Sequence, residues 1–74
     1  MVIIECKNRF WDGQGWTGQF QNALQFSEPV EAVLCADRLI SELSAEELPG
    51  EYICVYQDYY DPENEVLLSS ISKD

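Results

Sequence analysis

The 74-residue chain predicts an α+β domain: a mostly antiparallel sheet of four strands with one amphipathic helix packed on one face. Two patterns and a set of punctuation marks lead there. Residues 30–43 repeat their apolar positions with the 3.6-residue period of a helix. Two extended runs near the chain ends, 2–10 and 51–60, alternate instead with a period of two. Between the runs stand glycine, proline, aspartate and asparagine, the residues that make turns. The length fits a single domain spanning residues 1–74. No internal repeat, linker or low-complexity tract divides it.

Taken in order, Val2 to Phe10 reads as a first strand. Val2, Ile4 and Cys6 point one way and Ile3, Glu5 and Lys7 the other. Asp12-Gly13-Gln14-Gly15 supplies turn chemistry, and Trp16 to Phe20 resumes an extended pattern. Ala23-Leu24-Gln25-Phe26 is short enough to be a third strand or a turn packed on the core. Ser27 suits a helix N-cap, Glu28 the first turn and Pro29 the first helical position. Along the helix, Ala32, Val33, Cys35, Ala36, Leu39, Ile40 and Leu43 share one arc, opposite Glu31, Asp37, Arg38, Ser41 and Glu42. Val30 and Leu34 fall on the polar side, as surface residues or as part of a contact.

Ser44 with Glu47 has the form of a capping box, opening at most one turn before Pro49-Gly50 ends it. Glu51 to Tyr60 reads as a strand with Tyr52, Cys54, Tyr56, Asp58 and Tyr60 on one face. Asp61-Pro62-Glu63-Asn64 fits a type I turn, and Glu65 to Ile71 returns as the last strand. Ser72, Lys73 and Asp74 are expected to fray. One helix covers one face of such a sheet, so the tyrosine face is expected to lack a cover from within the chain.

Charge sets the next bounds. Fourteen acids stand against four bases, a net charge of −10 with no histidine. Without histidine the chain has no Ser-His or Cys-His catalytic pair and no histidine metal ligand. An acidic surface repels nucleic acid and anionic membrane. The N-terminal run lacks the basic lead of a signal peptide, and no apolar stretch reaches the roughly 20 residues of a membrane span. Cys6, Cys35 and Cys54 sit singly in apolar periodic segments and read as reduced core thiols of a cytoplasmic protein.

Lys7-Asn8-Arg9-Phe10, the glycine turn, Gly15-Trp16-Thr17, Ala23 to Ser27 and Glu31-Ala32 together resemble small uncharacterised phage and prophage domains. In these a strand and a tryptophan hairpin lead into a capped helix. The resemblance covers residues 2–43 and implies an α+β mini-domain of phage or mobile-element origin. It supplies no reaction and no cofactor, and the tyrosine-rich hairpin after Gly50 lies outside it.

That hairpin carries the functional expectation. The first half of the chain, 1–37, is −3 and the second, 38–74, is −7. Asp58, Asp61, Glu63 and Glu65 bracket the last turn, beside Tyr56, Tyr59 and Tyr60. Carboxylates fixed along a strand pair would stand where a basic groove expects phosphates, and tyrosines are efficient interface anchors. The plain alternative is a solvated acidic face on a strand that favours tyrosine for its own reasons. The same acids lack the glycine and terminal glutamate of a calcium loop, so no metal and no cofactor is expected. Gly13-Gln14-Gly15 lacks the form of a phosphate cradle. Trp11 and Trp16 read as core.

The sequence therefore points to a non-enzymatic binding protein that inhibits a basic, nucleic-acid-handling host protein by mimicry, with no direct contact to nucleic acid or membrane. The alternative is a homodimeric module that buries its tyrosine face against a second copy.

Overall fold

Pro29 decides where the helix starts. A residue before proline is pushed out of the helical region, and Glu28 is accordingly extended at φ −120°, ψ 130°. Glu28, not Ser27, is therefore the N-cap of α1 (Pro29–Glu42). Its carbonyl accepts from the N–H groups of Glu31 and Ala32, while no side chain caps this end. The far end is held by a distant residue. Lys73 Nζ donates to the carbonyls of Ile40, at 2.7 Å, and Leu43, where a helix leaves acceptors unpaired and favours a cation.

The computed structural model describes residues 1–73. Besides α1 it contains five strands: β1 (Val2–Cys6), β2 (Arg9–Trp11), β3 (Trp16–Thr17), β4 (Tyr52–Gln57) and β5 (Val66–Ser72). Short 3₁₀ turns occupy Phe20–Asn22 and Ala45–Glu47. The strands form one sheet in the order β3-β2-β1-β4-β5, every neighbouring pair antiparallel. The fold is α+β as expected, with five strands in place of four.

The extra strand comes from Lys7 and Asn8, which break the expected single run 2–10. Both have positive φ, 47° and 64°, the signature of a two-residue hairpin turn whose twist matches its strands. The Asn8 N–H also donates to Glu5 Oε2 at 2.8 Å. The Ala23–Phe26 piece is not a strand. Phe26 makes an isolated bridge with Val2, and Leu24 N–H donates to the Trp11 carbonyl.

The two faces of the sheet differ. Val2, Ile4, Cys6, Ile53 and Val55 meet Ala32, Ala36 and Leu39 of α1 in the main core, with Leu48 closing one end. Trp11 and Trp16 pack against this core, edge to face at 5.3 Å. On the other face Ile3, Phe10 and Ala23 form a second, smaller core flanked by Phe20, Tyr56 and Tyr59. The tyrosine face thus has a partial cover from within the chain, which corrects the expectation that it has none. Val30 and Leu34 of α1 remain 62% exposed.

The ends of the last hairpin differ as well. β4 stops at Gln57 because Asp58 and Tyr60 adopt positive φ, 54° and 72°. Ser72 is paired with Tyr52 and Lys73 caps α1, so neither frays. Asp74, the last residue expected to fray, lies outside the described residues.

Candidate interaction surface

Strand register divides the domain into two ends. Val2, Gln57, Val66 and Phe26 lie together at one. Cys6, Arg9, Tyr52 and Ser72 mark the other. The connection from β4 to β5 closes the first end and holds Asp58, Asp61, Glu63 and Glu65 within eight residues. Glu28, at the start of α1, follows Phe26 at this end. The four lysines and arginines are elsewhere. Lys7 lies in the β1–β2 turn and Arg9 opens β2, Lys73 follows β5, and Arg38 sits in the C-terminal half of α1 beside Glu42. The 58–65 end is thereby free of lysine and arginine, whereas the other end mixes both signs, with Glu5 and Glu51 beside Lys7 and Lys73.

The acidic connection is fixed by its own carboxylates. Asp61 Oδ1 accepts from the Glu63 N–H at 3.1 Å and Oδ2 from the Asn64 amide at 2.9 Å. The Asn64 amide, then the Glu63 N–H, hold the Asp61 carboxyl below the usual aspartate range. The Asp61 carbonyl accepts from the N–H groups of Asn64 and Glu65, closing a single turn. Glu65 Oε1 accepts from the Tyr60 N–H at 3.1 Å. Asp58 Oδ1 pairs with the Met1 ammonium at 2.9 Å. Glu63 alone of the four makes no side-chain hydrogen bond among the described residues.

The three tyrosines separate into two roles. The left-handed turn at Asp58 ends the strand alternation that would have put Tyr60 beside Tyr56. Tyr59 takes that place instead, at 5.1 Å from Tyr56, edge-on to Phe10 at 5.3 Å and stacked on Phe20 at 5.6 Å. Burial raises the phenol pKa of both Tyr56 and Tyr59 above the ordinary value. Tyr60 is 66% exposed and leans one ring edge on Phe20 at 4.7 Å. Its φ of 72° is costly for a bulky residue and survives because the turn around it is over-determined.

The expected site residues are therefore brought together, but as a compact knob and not as a rail of acids along two strands. Phe20, which holds Tyr59 and Tyr60, was expected to end an extended run from Trp16 and was not among the site residues; the strand stops at Thr17 and Phe20 opens a 3₁₀ turn. It stands far from them in the chain, and only the packing of the 3₁₀ turn onto the second core reveals it.

The opposite end carries a hollow of about 710 Å³, open to solvent and lined among others by Glu5, Lys7, Glu51, Tyr52, Cys54 and Lys73. Its charges are mixed in sign. Among the described residues, no three metal-binding side chains converge, and no helix is long and apolar enough to cross a membrane. All three cysteines are free thiols, and burial raises the pKa of Cys6 above the ordinary thiol value. Comparison of the chain with protein-family models, with curated proteins and with solved structures finds no match in any of the three.

Proposed function

We propose that this chain is a non-enzymatic, cytoplasmic binding protein whose 58–65 end occupies the nucleic-acid path of a basic host protein and so inhibits it. The observation that carries this reading is the uniform sign of the side-chain charge at that end. A rigid turn with four carboxylates and no lysine or arginine closes one end of the molecule, with Tyr60 exposed beside it. A groove for single-stranded nucleic acid offers cations for phosphates and flat surfaces for bases. Fixed carboxylates next to an exposed aromatic ring present the same two chemistries. The long-range field of a −10 domain speeds encounter with a basic groove, and the aromatic contact slows release. The free thiols agree with a reducing compartment. The resemblance of residues 2–43 supports a phage origin, and a defence effector or nuclease of the host is the kind of basic, nucleic-acid-handling protein meant.

Reversing all four acids is a poor test, because three of them hold the turn. Glu63→Lys combined with Tyr60→Ala changes the surface while sparing those hydrogen bonds. The chain, immobilised in host lysate, should retain basic proteins that added single-stranded oligonucleotide releases, with retention falling steeply as salt rises. The double variant should lose them while keeping its circular dichroism. Equal retention by the variant, or indifference to oligonucleotide, would sink the reading.

The homodimeric alternative through the tyrosine face has less to support it, since Tyr56 and Tyr59 are already engaged within the chain.

A further inference from the structure

We propose that the groove between α1 and the side chains of Trp11, Leu24 and Phe26 is a docking surface for a short amphipathic helix of a protein partner, apolar on one face and bearing lysine or arginine beside it. The proposal does not depend on the mimicry reading and uses a different surface. Val30 and Leu34 stand one turn apart on α1, each 62% exposed, and belong to neither core. Leu34 lines a groove of about 400 Å³, and Leu24, 38% exposed, lines it from the other side with Trp11 and Phe26. α1 contributes Glu31, Leu34, Cys35 and Arg38, which the helical period places in a single stripe. That stripe is about 10 Å long, two turns of helix. A mostly apolar channel of that length is the kind of surface into which a second helix lays residues of the same spacing.

The occupant is identified by charge. Glu31 lines the groove toward the start of α1 and Arg38 toward its end. Around them stand Glu28 at the N-cap, Asp12 next to Gly13 of the groove lining, and Asp37 and Glu42 on the exposed side of α1. Five acids thus face one base. That base is compensated, since Arg38 Nε lies 3.9 Å from Glu42 Oε2. Asp12 gives one oxygen to the N–H groups of Gln14 and Gly15. The carboxylates of Glu28, Glu31 and Asp37 have no hydrogen bond or ion pair among the described residues. Lys73, the other cation that touches α1, is spent on its last carbonyls. A second copy would set the same acidic excess against itself, and an anionic membrane is repelled. A cationic helix instead brings its basic residues to the free carboxylates while its apolar face covers Leu34 and Leu24.

The test is fluorescence anisotropy with a labelled synthetic peptide of about four helical turns, leucines along one face and lysines on the rest. Its controls are the same composition with the leucines scattered, and the same pattern with glutamate for lysine. The parent chain should bind the patterned lysine peptide about tenfold tighter than either control, and its tryptophan emission should shift to the blue as water leaves Trp11. Leu34→Asp adds a negative charge, so bare attraction between a polycation and a −10 chain would grow stronger. Docking in the groove should instead weaken by about tenfold. Leu24→Asp, on the other wall, should do the same. Leu67→Asp adds the same charge at a 53% exposed leucine of β5, the strand at the opposite edge of the sheet from β3, and should bind no more weakly than the parent. Circular dichroism checks each fold, and where one groove variant loses its helical signal the other decides. The proposal is overturned by equal binding of the scattered or glutamate peptide, or by unshifted emission at saturation. It is also overturned if the groove variants bind as well as the parent, or if Leu67→Asp weakens binding as much as they do. A parent that sediments as a dimer split by Leu34→Asp overturns it too, since a second copy then holds the groove.

Discussion

The two faces of the sheet are built from the same strands yet do different work. Toward α1 the strands present Val2, Ile4, Cys6, Ile53 and Val55, of which the last four are sealed from solvent. Toward the other side they present Ile3 and Phe10, sealed, and then a ring of half-buried aromatics, Phe20, Tyr56 and Tyr59. The first face is closed by a helix whose apolar arc matches it. The second is closed only by a 3₁₀ turn and a connection that folds back. Stability should reside mostly in the first, whereas the second holds up the acidic turn and Tyr60.

Truncation in each face breaks the comparison most directly. Ile53→Ala empties a fully buried site against α1 and should cost about 3 to 4 kcal/mol. That is most of the roughly 5 kcal/mol a domain of this size holds, so urea titration should find the variant still mostly folded in water but with its midpoint well under half that of the parent. Tyr59→Ala removes a half-buried ring and should cost about 1 to 2 kcal/mol. Its near-ultraviolet dichroism should fall while the helical signal stays. An equal loss from the two variants would mean that the faces share the load.

A smaller effect separates the ends. Lys73→Met removes the cation over the last carbonyls of α1 and should cost about 0.5 to 1 kcal/mol. Amide exchange should speed up in the final turn of α1 and not in its first, where Pro29 and the Glu28 carbonyl hold the start.

The smallest concerns the acidic turn. The Asp61 carboxyl sits below its ordinary value of 3.8 in the folded chain. A carboxylate lowered by folding stabilises above the unfolded value and loses that contribution as pH falls through the folded one. The stability difference between the parent and Asp61→Asn should therefore be constant above about pH 5 and shrink below 3.8. Measuring the difference cancels the general relief of like-charge repulsion on acidification. A difference that stays level through this window would show that the Asn64 and Glu63 hydrogen bonds do not favour the ionised form.

Much of this fold could be read in the residue order because local pattern and tertiary packing agree there. The arc of Ala32, Ala36 and Leu39 is the buried arc of α1, and the inward set of β1 was visible as Val2, Ile4 and Cys6. What escaped were places where one residue's backbone angle overrides the pattern. Lys7 at positive φ has no composition cue, since lysine is not a turn residue of choice. Asp58 likewise ends a run that alternates cleanly through it, which exchanged the positions expected of Tyr59 and Tyr60. The acids of the candidate site were visible as a cluster. Their internal hydrogen bonds were not, since those depend on a turn one residue can redirect. Nor did the chain announce that Lys73 would reach Ile40.

The pairing of β1 with β4 sets Val2 against Gln57 and Ile4 against Val55, residues from opposite parts of the chain. The flanking hairpins are local and cheap to close, whereas this middle seam must gather the intervening segment, α1 included, before it yields anything. Folding is therefore expected to wait on the centre of the sheet. Until the seam shuts, the β4–β5 hairpin exists with both of its borders open, so the nascent chain passes through its most adhesive form shortly before it becomes native.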